Sequence, residues 1–351
     1  MTATLAVIAG DGIGPEVVRE ALDVLRAVED RFAPGIEVEM LPYGADYYLS
    51  TGETIPPMEM KRLGRDFDAI LVGALGDPRV PGNEHARDIL LGMRFQLDLY
   101  VNERPARLMD ARLTPLKDKQ PADLDLTIFR ENTEGLYVSV GGRFKQGTPD
   151  EIAIAEELNT RKGVERIIRY AFEWAASNGK TSVTMADKAN AIAAHHLWRE
   201  VFNEVGHEYP DIERGTRYID AMAMDLVRTP EAFQVIVTGN LFGDILSDLA
   251  SVLVGGLGLA PSANRNPGGV TMYEPVHGSA PPLAGKGVAN PMAAILTIAM
   301  MLADLDFGEA ASAVERAVRL ALAEGVATPD VGGRLGTRAV GEWIAERVRT
   351  S

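Results

Sequence analysis

The chain has 351 residues, of which 46% are hydrophobic and 24% are charged, enough for a large core or for two lobes that share one cleft. Its formal net charge of −15 at pH 7 argues against a nucleic-acid partner, so an anionic ligand has to be bound by a local group of arginines. The absence of cysteine excludes disulfides, thiol catalysis and zinc sites built from cysteine.

Two features bear on where the protein acts. The N-terminal residues lack the basic leader of a signal peptide, and the apolar run at 292–303 is too short to cross a bilayer. We therefore expect a cytoplasmic protein without a membrane partner.

The N-terminal segment has the pattern of a strand, a glycine turn and a helix. A strand is predicted at residues 5–9, followed by Gly10, Gly12, Gly14 and then a helix to about Val28. The glycine spacing misses the dinucleotide-binding fingerprint by one residue. We therefore expect a tight turn that brings backbone close to a ligand, without a Rossmann site.

Three arginines lie at the edges of the apolar segments that follow. The pattern predicts strands at 68–73 and 128–135, a loop with a short helix at 79–91, and an extended segment at 97–102. Arg94, Arg104 and Arg130 flank these elements, where an unpaired guanidinium is costly to desolvate. Each can form a structural salt bridge or bind a substrate carboxylate in bidentate fashion, and the sequence leaves both roles open.

The middle of the chain predicts a hairpin and further strand–helix units. Residues 137–155 contain glycine turns between strand-like pieces, and an amphipathic helix at 163–177 precedes a strand at 181–186. Lys188 follows that strand, either as a surface residue or as a partly buried general base. Asp220 adds a carboxylate in an apolar setting. Because strands alternate with helices throughout, the predicted fold class is α/β with a substantially parallel sheet.

Two carboxylates stand at the start of another predicted helix. A buried strand at 233–237 leads through Asn240 into that helix, so Asp244 and Asp248 share one face. Like charges at this spacing repel each other unless a cation lies between them, and oxygen ligands suit Mg²⁺ or Mn²⁺. The alternative is a solvated helix start, where acidic residues favour the helix dipole.

Ordered motifs along the chain carry a resemblance that each motif alone would not support. They are residues 8–16, Arg94 with Arg104-Pro105, 130–135, 187–190, 240–248 and 274–281. Together they resemble the β-decarboxylating dehydrogenases, the family of isocitrate, isopropylmalate, homoisocitrate and tartrate/D-malate dehydrogenases. The resemblance implies an isocitrate/isopropylmalate dehydrogenase-like two-lobe α/β fold with an open, non-Rossmann twisted sheet, and homodimers that share their active sites.

The resemblance also implies how the chain is divided. Residues 1–99 and 252–351 would form a large cofactor-binding lobe, and residues 100–251 a small lobe. The excursion at about 137–155 would be the dimer clasp.

The activity implied by the resemblance is metal-dependent, NAD(P)-linked oxidative decarboxylation of a 2-hydroxy acid that bears a β-carboxylate. The matching metal ligands for Mg²⁺ or Mn²⁺ are Asp244 and Asp248, with Asp220 contributed by the partner subunit. The matching carboxylate clamps are Arg94, Arg104 and Arg130, and the matching catalytic pair is Tyr137 and Lys188, with Lys188 acting across the dimer.

The cofactor loop is expected at 277–290. By resemblance, the cofactor-binding residues are His277, Gly278, Ser279, Ala280, Pro281 and Asn290. Relatives that use NAD usually carry Asp directly after this Ser-Ala-Pro, and those that use NADP often carry Lys and Tyr, whereas this chain has Pro282 and Leu283. Without a cation at Pro282 we expect NAD, while Arg334 and Arg338 keep NADP open.

By resemblance, residues 84–91 face the substituent that distinguishes one substrate of the family from another. Leu90 and Leu91 suit a branched alkyl group, whereas Arg87 stands about two helical turns before Arg94 and so on a similar face. Arg87 is either solvated or binds an extra anion, which would make the substrate isocitrate- or homoisocitrate-like, or a phosphonate analogue. D-malate, tartrate and 3-isopropylmalate are alternatives, as are a non-catalytic regulatory subunit and a lyase that decarboxylates without net oxidation.

Overall fold

The computed structural model describes residues 3–350, which cluster into two compact units. Within the described residues, unit 1 comprises 3–99, 105–124 and 251–350, and unit 2 comprises 100–104 and 125–250. The strands are β1 (Ala3–Ile8), β2 (Ile36–Leu41), β3 (Ala69–Val72), β4 (Val101–Arg107), β5 (Asp125–Glu131), β6 (Gly141–Phe144), β7 (Ile152–Ala155), β8 (Ser182–Asp187), β9 (Glu213–Tyr218), β10 (Val235–Thr238), β11 (Pro261–Arg265) and β12 (Thr271–Pro275). The helices are α1 (Gly14–Phe32), α2 (Ala45–Thr51), α3 (Pro57–Arg65), α4 (Glu84–Gln96), α5 (Arg161–Ser177), α6 (His196–Gly206), α7 (Ile219–Arg228), α8 (Asn240–Leu253), α9 (Met292–Asp304), α10 (Gly308–Glu324) and α11 (Thr337–Thr350).

Unit 1 is built on strands in the order β2-β1-β3-β12-β11. β1 pairs in parallel with β2 and β3, β12 pairs in parallel with β3, and β11 runs antiparallel to β12. Leu5 and Val7 pack into one apolar cluster with α1, α9, α10 and α11, whereas Ala6 and Ile8 pack into a second cluster with α3 and α4. Both faces of β1 are therefore buried, which explains why its sequence is continuously apolar instead of alternating.

The apolar run at 292–303 forms α9, a core helix of unit 1. Its side chains from Met292 to Ala299 are all buried. No helix among residues 3–350 is long and apolar enough to cross a membrane.

Unit 2 contains strands in the order β4-β5-β10-β8-β9, of which β5, β10, β8 and β9 are parallel. Helix α5 covers this sheet with Phe172, whose ring lies 5.4 Å from that of Phe202 and 5.2 Å from that of Tyr209. The parallel strands bring their carboxyl ends together, with Arg130 near the end of β5, Lys188 directly after β8 and the start of α8 after β10. Side chains from segments distant in sequence are thereby gathered at one edge of the sheet.

The predicted hairpin within 137–155 is confirmed. β6 and β7 pair antiparallel, with Gly141 opposite Ala155 and Phe144 opposite Ile152. Phe144, Ile152 and Ile154 are exposed.

Two predictions about segment boundaries are wrong. The predicted small lobe ran unbroken from 100 to 251, but residues 105–124 belong to unit 1, where Met109 and Leu113 pack against the core. The predicted extended segment at 97–102 begins only at Val101, because α4 continues to Gln96 and the Leu99 N–H closes onto the Arg94 carbonyl at 2.8 Å. The short helix expected within 79–91 is therefore a longer helix that carries Arg94 in its last turn.

Candidate active site

Adjacent parallel strands place Arg130 beside the start of α8. Arg130 lies opposite Thr238 in the β5–β10 pairing, and α8 begins two residues later at Asn240. The guanidinium donates from Nε and Nη2 to Asn240 Oδ1, at 2.9 and 2.7 Å, and from Nη1 to Asp244 Oδ1. Gly243 permits this approach, because a Cβ there would lie 2.5 Å from Arg130 Cβ. Arg130 is buried at 3% exposure, so its charge depends on these partners.

Arg104 approaches the same acidic face of α8. Its Nη1 donates to Ser247 Oγ at 2.7 Å and lies 3.4 Å from Asp248 Oδ1 and 3.6 Å from Asp244 Oδ1. Tyr137 completes the group, since its hydroxyl donates to Asp244 Oδ2 at 3.0 Å. The structure thus brings together Arg104, Arg130, Tyr137, Asp244 and Asp248, all of which the sequence nominated.

The two carboxylates fit a hard divalent cation. Partial burial raises the pKa of the Asp248 carboxyl, and the like charge of Asp244 raises it further, while Arg104 and Arg130 oppose the rise without cancelling it. A cation bound to both side chains would stabilise their charged forms, and their oxygens are the donors that Mg²⁺ and Mn²⁺ prefer. Across residues 3–350, however, no group of three or more His, Cys, Asp or Glu side chains converges as a metal site. The described chain therefore supplies Asp244 and Asp248 without a third carboxylate beside them.

The remaining predicted ligand, Asp220, lies beside the predicted catalytic lysine. Lys188 follows β8, Asp220 lies in the first turn of α7 after β9, and β8 and β9 pair in parallel. Lys188 Nζ donates to Asp220 Oδ1 at 2.6 Å, and this bond lowers the pKa of the Asp220 carboxyl. The structure therefore places Tyr137 with Asp244, and Lys188 with Asp220, in two separate pairs.

The third predicted clamp, Arg94, belongs to unit 1. Its Nη2 forms an ion pair with Glu274 Oε1 at 3.0 Å, and Asn264 Nδ2 donates to the same oxygen at 2.8 Å. The buried Nε of Arg94 has no hydrogen-bond partner among the described residues. Arg94 thus forms the structural salt bridge that the sequence allowed and retains an unused donor for a further acceptor.

The predicted substrate residues on α4 lie along one stripe of that helix. Leu90 and Leu91 are half-buried, and Arg87 is exposed. The Nε of Arg87 lies 3.4 Å from Asp88 Oδ1, a long contact between exposed neighbours that contributes little. Arg87, Leu90, Leu91 and Arg94 follow the helical repeat, so they share a face.

The cofactor loop packs against the N-terminal glycine turn within unit 1. The Ile13 N–H donates to the Ser279 carbonyl at 2.9 Å, and a Cβ on Gly12 would lie 2.1 Å from that oxygen, so only glycine allows this close approach. The turn therefore supports the loop that carries Ser279.

Within that loop, His277 is the clearest ligand-binding candidate. Burial lowers the pKa of its imidazole, and its Nε2 is buried without a partner in the described part of the chain. A neutral ring with an unpaired nitrogen, next to open space at Gly278, is available to hydrogen-bond a ligand. Asn290 has a more structural position, because its amide group bonds to Asp330 Oδ2 and the Met292 N–H, both at 3.0 Å. Ala280 and Pro281 lead into the turn that carries Pro282 and Leu283.

Sequence reasoning did not assign roles to three partners that the structure reveals. Asn240 binds the Arg130 guanidinium, Ser247 binds Arg104, and Glu274 binds Arg94. Each lies inside or beside a motif that was singled out for other residues. A buried arginine needs a nearby hydrogen-bond acceptor, and this requirement is the signal by which the sequence could have indicated these three partners.

The fold and these residues define the class as a decarboxylating dehydrogenase, and comparison with known proteins supports this. The sequence model of the family described as isocitrate/isopropylmalate dehydrogenase matches residues 4–344. The 3-isopropylmalate dehydrogenase of Thermobifida fusca (strain YX) is 46% identical over 350 residues, with 99% of this chain and 98% of the relative covered.

Solved structures agree. Isocitrate dehydrogenase from Methylococcus capsulatus has a TM-score of 0.90 and 38% identity, with 99% of this chain and 100% of that chain covered. A β-decarboxylating dehydrogenase from Thermococcus kodakarensis in its apo form has a TM-score of 0.81 and 38% identity, with 99% and 96% covered. The chain belongs to the isocitrate/isopropylmalate dehydrogenase family, which confirms the predicted family and fold class.

The metal assignment can be tested with Asp248→Asn. We expect this variant to bind Mg²⁺ or Mn²⁺ more weakly and to lose about 100-fold or more in turnover, because a Lewis acid contributes several kcal/mol to such reactions. Its thermal stability should be retained, since the substitution relieves the repulsion from Asp244. Calorimetric metal titration, steady-state rates and thermal melts measure these effects. Asp225→Asn on α7 is the matched control, and unchanged activity of the wild type with a chelator present would rule the assignment out.

Proposed function

We propose that this dehydrogenase oxidises a malate-type 2-hydroxy acid with a β-carboxylate, uses Mg²⁺ or Mn²⁺, and transfers the hydride to NAD. The observation that supports this most directly is the convergence of Arg104, Arg130 and Tyr137 on Asp244 and Asp248. The arginines can donate hydrogen bonds to substrate carboxylates, the two aspartates can ligate a cation, and Tyr137 carries a hydroxyl proton.

The residues divide the reaction among them. Asp244 and Asp248 would hold a divalent ion, which would supply Lewis acidity when bound. Arg104 and Arg130 bind carboxylates by charge-assisted hydrogen bonds and orient the substrate. Lys188, acting across the dimer as the resemblance implies and deprotonated to the neutral amine, accepts the hydroxyl proton. NAD, when bound, would take up the carbon-bound hydride.

Decarboxylation follows from the ketone that this oxidation produces. The electron pair of the bond to the β-carboxylate moves toward the carbonyl, and carbon dioxide leaves. Tyr137 then donates its hydroxyl proton to the carbon that lost the carboxylate. The arginines stabilise negative charge where it develops, and in most enzymes this electrostatic stabilisation contributes more to the rate than any other single effect.

Two alternatives differ in class. A non-catalytic regulatory subunit would be expected to have lost some of this machinery, whereas Tyr137, Lys188, Asp244 and Asp248 are all present. A lyase would decarboxylate with no net reduction of the cofactor.

The stoichiometry of the products separates oxidation from lyase chemistry. We expect one reduced cofactor for each carbon dioxide, because the ketone formed by hydride loss is the electron sink for decarboxylation. Parallel absorbance and carbon dioxide measurements on one reaction provide the ratio. Carbon dioxide released in clear excess over reduced cofactor would favour the lyase.

We also propose NAD as the preferred cofactor. Pro282 presents no cation, and Arg338 is engaged in an ion pair with Glu342 at 2.6 Å. Initial rates should therefore favour NAD over NADP by about tenfold or more in kcat/KM, since a 2′-phosphate without a cationic partner is poorly bound. Arg338→Ala is the informative variant. A wild-type preference for NADP would reverse the assignment, whether or not this variant abolishes it.

The resemblance and the surface of unit 2 support a homodimer with shared sites. The β6–β7 hairpin exposes Phe144, Ile152 and Ile154, and an isolated two-stranded hairpin is marginally stable in water. A second copy that pairs with this hairpin would cover these side chains. Such a partner would also bring its Asp220 and Lys188 as the resemblance implies.

For the substrate itself, we propose an isocitrate- or homoisocitrate-like acid with an extra anionic group, which includes a phosphonate analogue. Arg87 shares the face of Arg94 and carries an exposed guanidinium, whose Nε lies 3.4 Å from Asp88 Oδ1. The second candidate is 3-isopropylmalate, on which relatives such as the Thermobifida fusca enzyme act by name. The half-buried Leu90 and Leu91 favour that candidate.

A substrate panel with Arg87→Ala distinguishes these candidates. D-malate, tartrate, 3-isopropylmalate, isocitrate, homoisocitrate and a phosphonomethyl malate are compared by kcat/KM. We expect the extra-anion substrate to lose about 2–4 kcal/mol of transition-state binding on this truncation if the pairing is desolvated. Arg65→Ala on α3, which removes another exposed arginine of unit 1, is the control. An equal loss for D-malate, or no loss for any substrate, would contradict the role of Arg87.

A further inference from the structure

His195 is a buried histidine of unit 2 whose two ring nitrogens both have partners. Its Nδ1 accepts a hydrogen bond from the backbone N–H of Lys188 at 2.9 Å, and its Nε2 lies 2.9 Å from Glu157 Oε1. A backbone N–H can only donate, so Nδ1 carries no proton and the ring proton is on Nε2, which donates to Glu157. These contacts select one neutral tautomer.

The hydrogen bond to His195 completes the restraint on the backbone of Lys188. The Lys188 carbonyl accepts from the N–H groups of Ala191 and Ile192, at 2.9 and 2.8 Å. Because the Lys188 N–H also donates to His195 Nδ1, both the N–H and the carbonyl of Lys188 are hydrogen-bonded. The backbone from which the lysine side chain extends is thus restrained, and its ammonium donates to Asp220.

On its other side, His195 contacts the segment that leads back to Tyr137. Glu157 is held by Asn159, whose Nδ2 donates to the same Oε1 at 3.1 Å. The next residue, Leu158, bridges to Gly135, whose N–H donates to the Leu158 carbonyl at 2.7 Å. Gly135 is two residues before Tyr137, so Glu157 lies at the base of the segment that carries the tyrosine.

The ring also packs against α8. The Phe242 ring meets His195 edge to face, with centroids 5.5 Å apart and planes at 71°. Phe242 lies two residues before Asp244. One imidazole therefore contacts Lys188, the start of α8 two residues before Asp244, and Glu157, whose neighbour Leu158 pairs with Gly135.

From these contacts we propose that His195 is a positioning residue, which holds the backbone of Lys188 and thereby the place from which the Lys188 side chain acts across the dimer. The proposal rests on the catalytic roles proposed above for Lys188 and Tyr137. His195 touches no reacting atom in this mechanism, and it acts through the hydrogen bond from the Lys188 N–H to its Nδ1.

Two substitutions distinguish the role of Nδ1 from that of Nε2. His195→Asn places an amide oxygen near the Nδ1 position and keeps an acceptor for the Lys188 N–H, whereas His195→Gln extends a donor toward Glu157. We expect His195→Asn to keep kcat within about threefold and His195→Gln to lower kcat by about 10- to 100-fold, because misplacement by about 1 Å has effects of this size. KM for the hydroxy acid should change little in either variant.

A merely structural histidine would give a different pattern. In that case both variants would lose thermal stability and kcat to the same extent, or neither would change, and either result overturns the proposal. Glu157→Gln, which keeps an acceptor on the Nε2 side, is the control and should resemble the wild type.

A second measurement does not depend on turnover. The rate at which acetic anhydride labels Lys188 in the full chain, followed by peptide mass spectrometry, should change in His195→Gln by about threefold or more and stay near the wild-type rate in His195→Asn. If the wild type oxidises none of the hydroxy acids, the proposed function fails while the labelling still decides the position of Lys188. Equal labelling rates in the two variants would overturn the role of His195.

Discussion

The repulsion between Asp244 and Asp248 is the constraint around which unit 2 is arranged. Two carboxylates one helical turn apart destabilise a helix unless positive charge compensates them. The compensation comes from Arg104 and Arg130, which are buried at 8% and 3% exposure and reach the helix from neighbouring strands. The parallel pairing of β5 with β10 is what places Arg130 beside α8.

Cation binding and the state of the arginines are linked by this arrangement. The oxygens of Asp244 and Asp248 are the partners of Arg104 and Arg130 and also the donors proposed for a divalent ion. An ion on these oxygens competes with the guanidinium groups, and a substrate carboxylate offers the arginines a replacement. Metal and substrate should therefore bind more tightly together than separately. The ion takes the aspartate oxygens from the arginines, and the substrate carboxylate gives the arginines new partners.

Unit 1 compensates its buried charges in the same way. Arg94 meets Glu274 across an ion pair that Asn264 supports, and Asp11 is held by His85 and by the Gly76 N–H, each at 2.8 Å. Although the chain has a net charge of −15, each of these buried charges has an oppositely charged or hydrogen-bonding partner beside it. Buried charges of this kind persist only when hydrogen bonds satisfy them.

The sequence by itself determined the α/β class, the family and the residue types of the chemistry, because hydrophobic periodicity and ordered motifs are local properties of the chain. It identified Asp244 and Asp248 on one helical face, since that follows from a helical repeat of 3.6 residues. Only the tertiary structure decided which groups meet: Asn240 on Arg130, Glu274 on Arg94, and Glu157 with His195 behind Lys188. It also decided that residues 105–124 belong with unit 1 and that α4 runs on to Gln96. These outcomes depend on strand order and on contacts between residues tens to hundreds of positions apart, which no local pattern encodes.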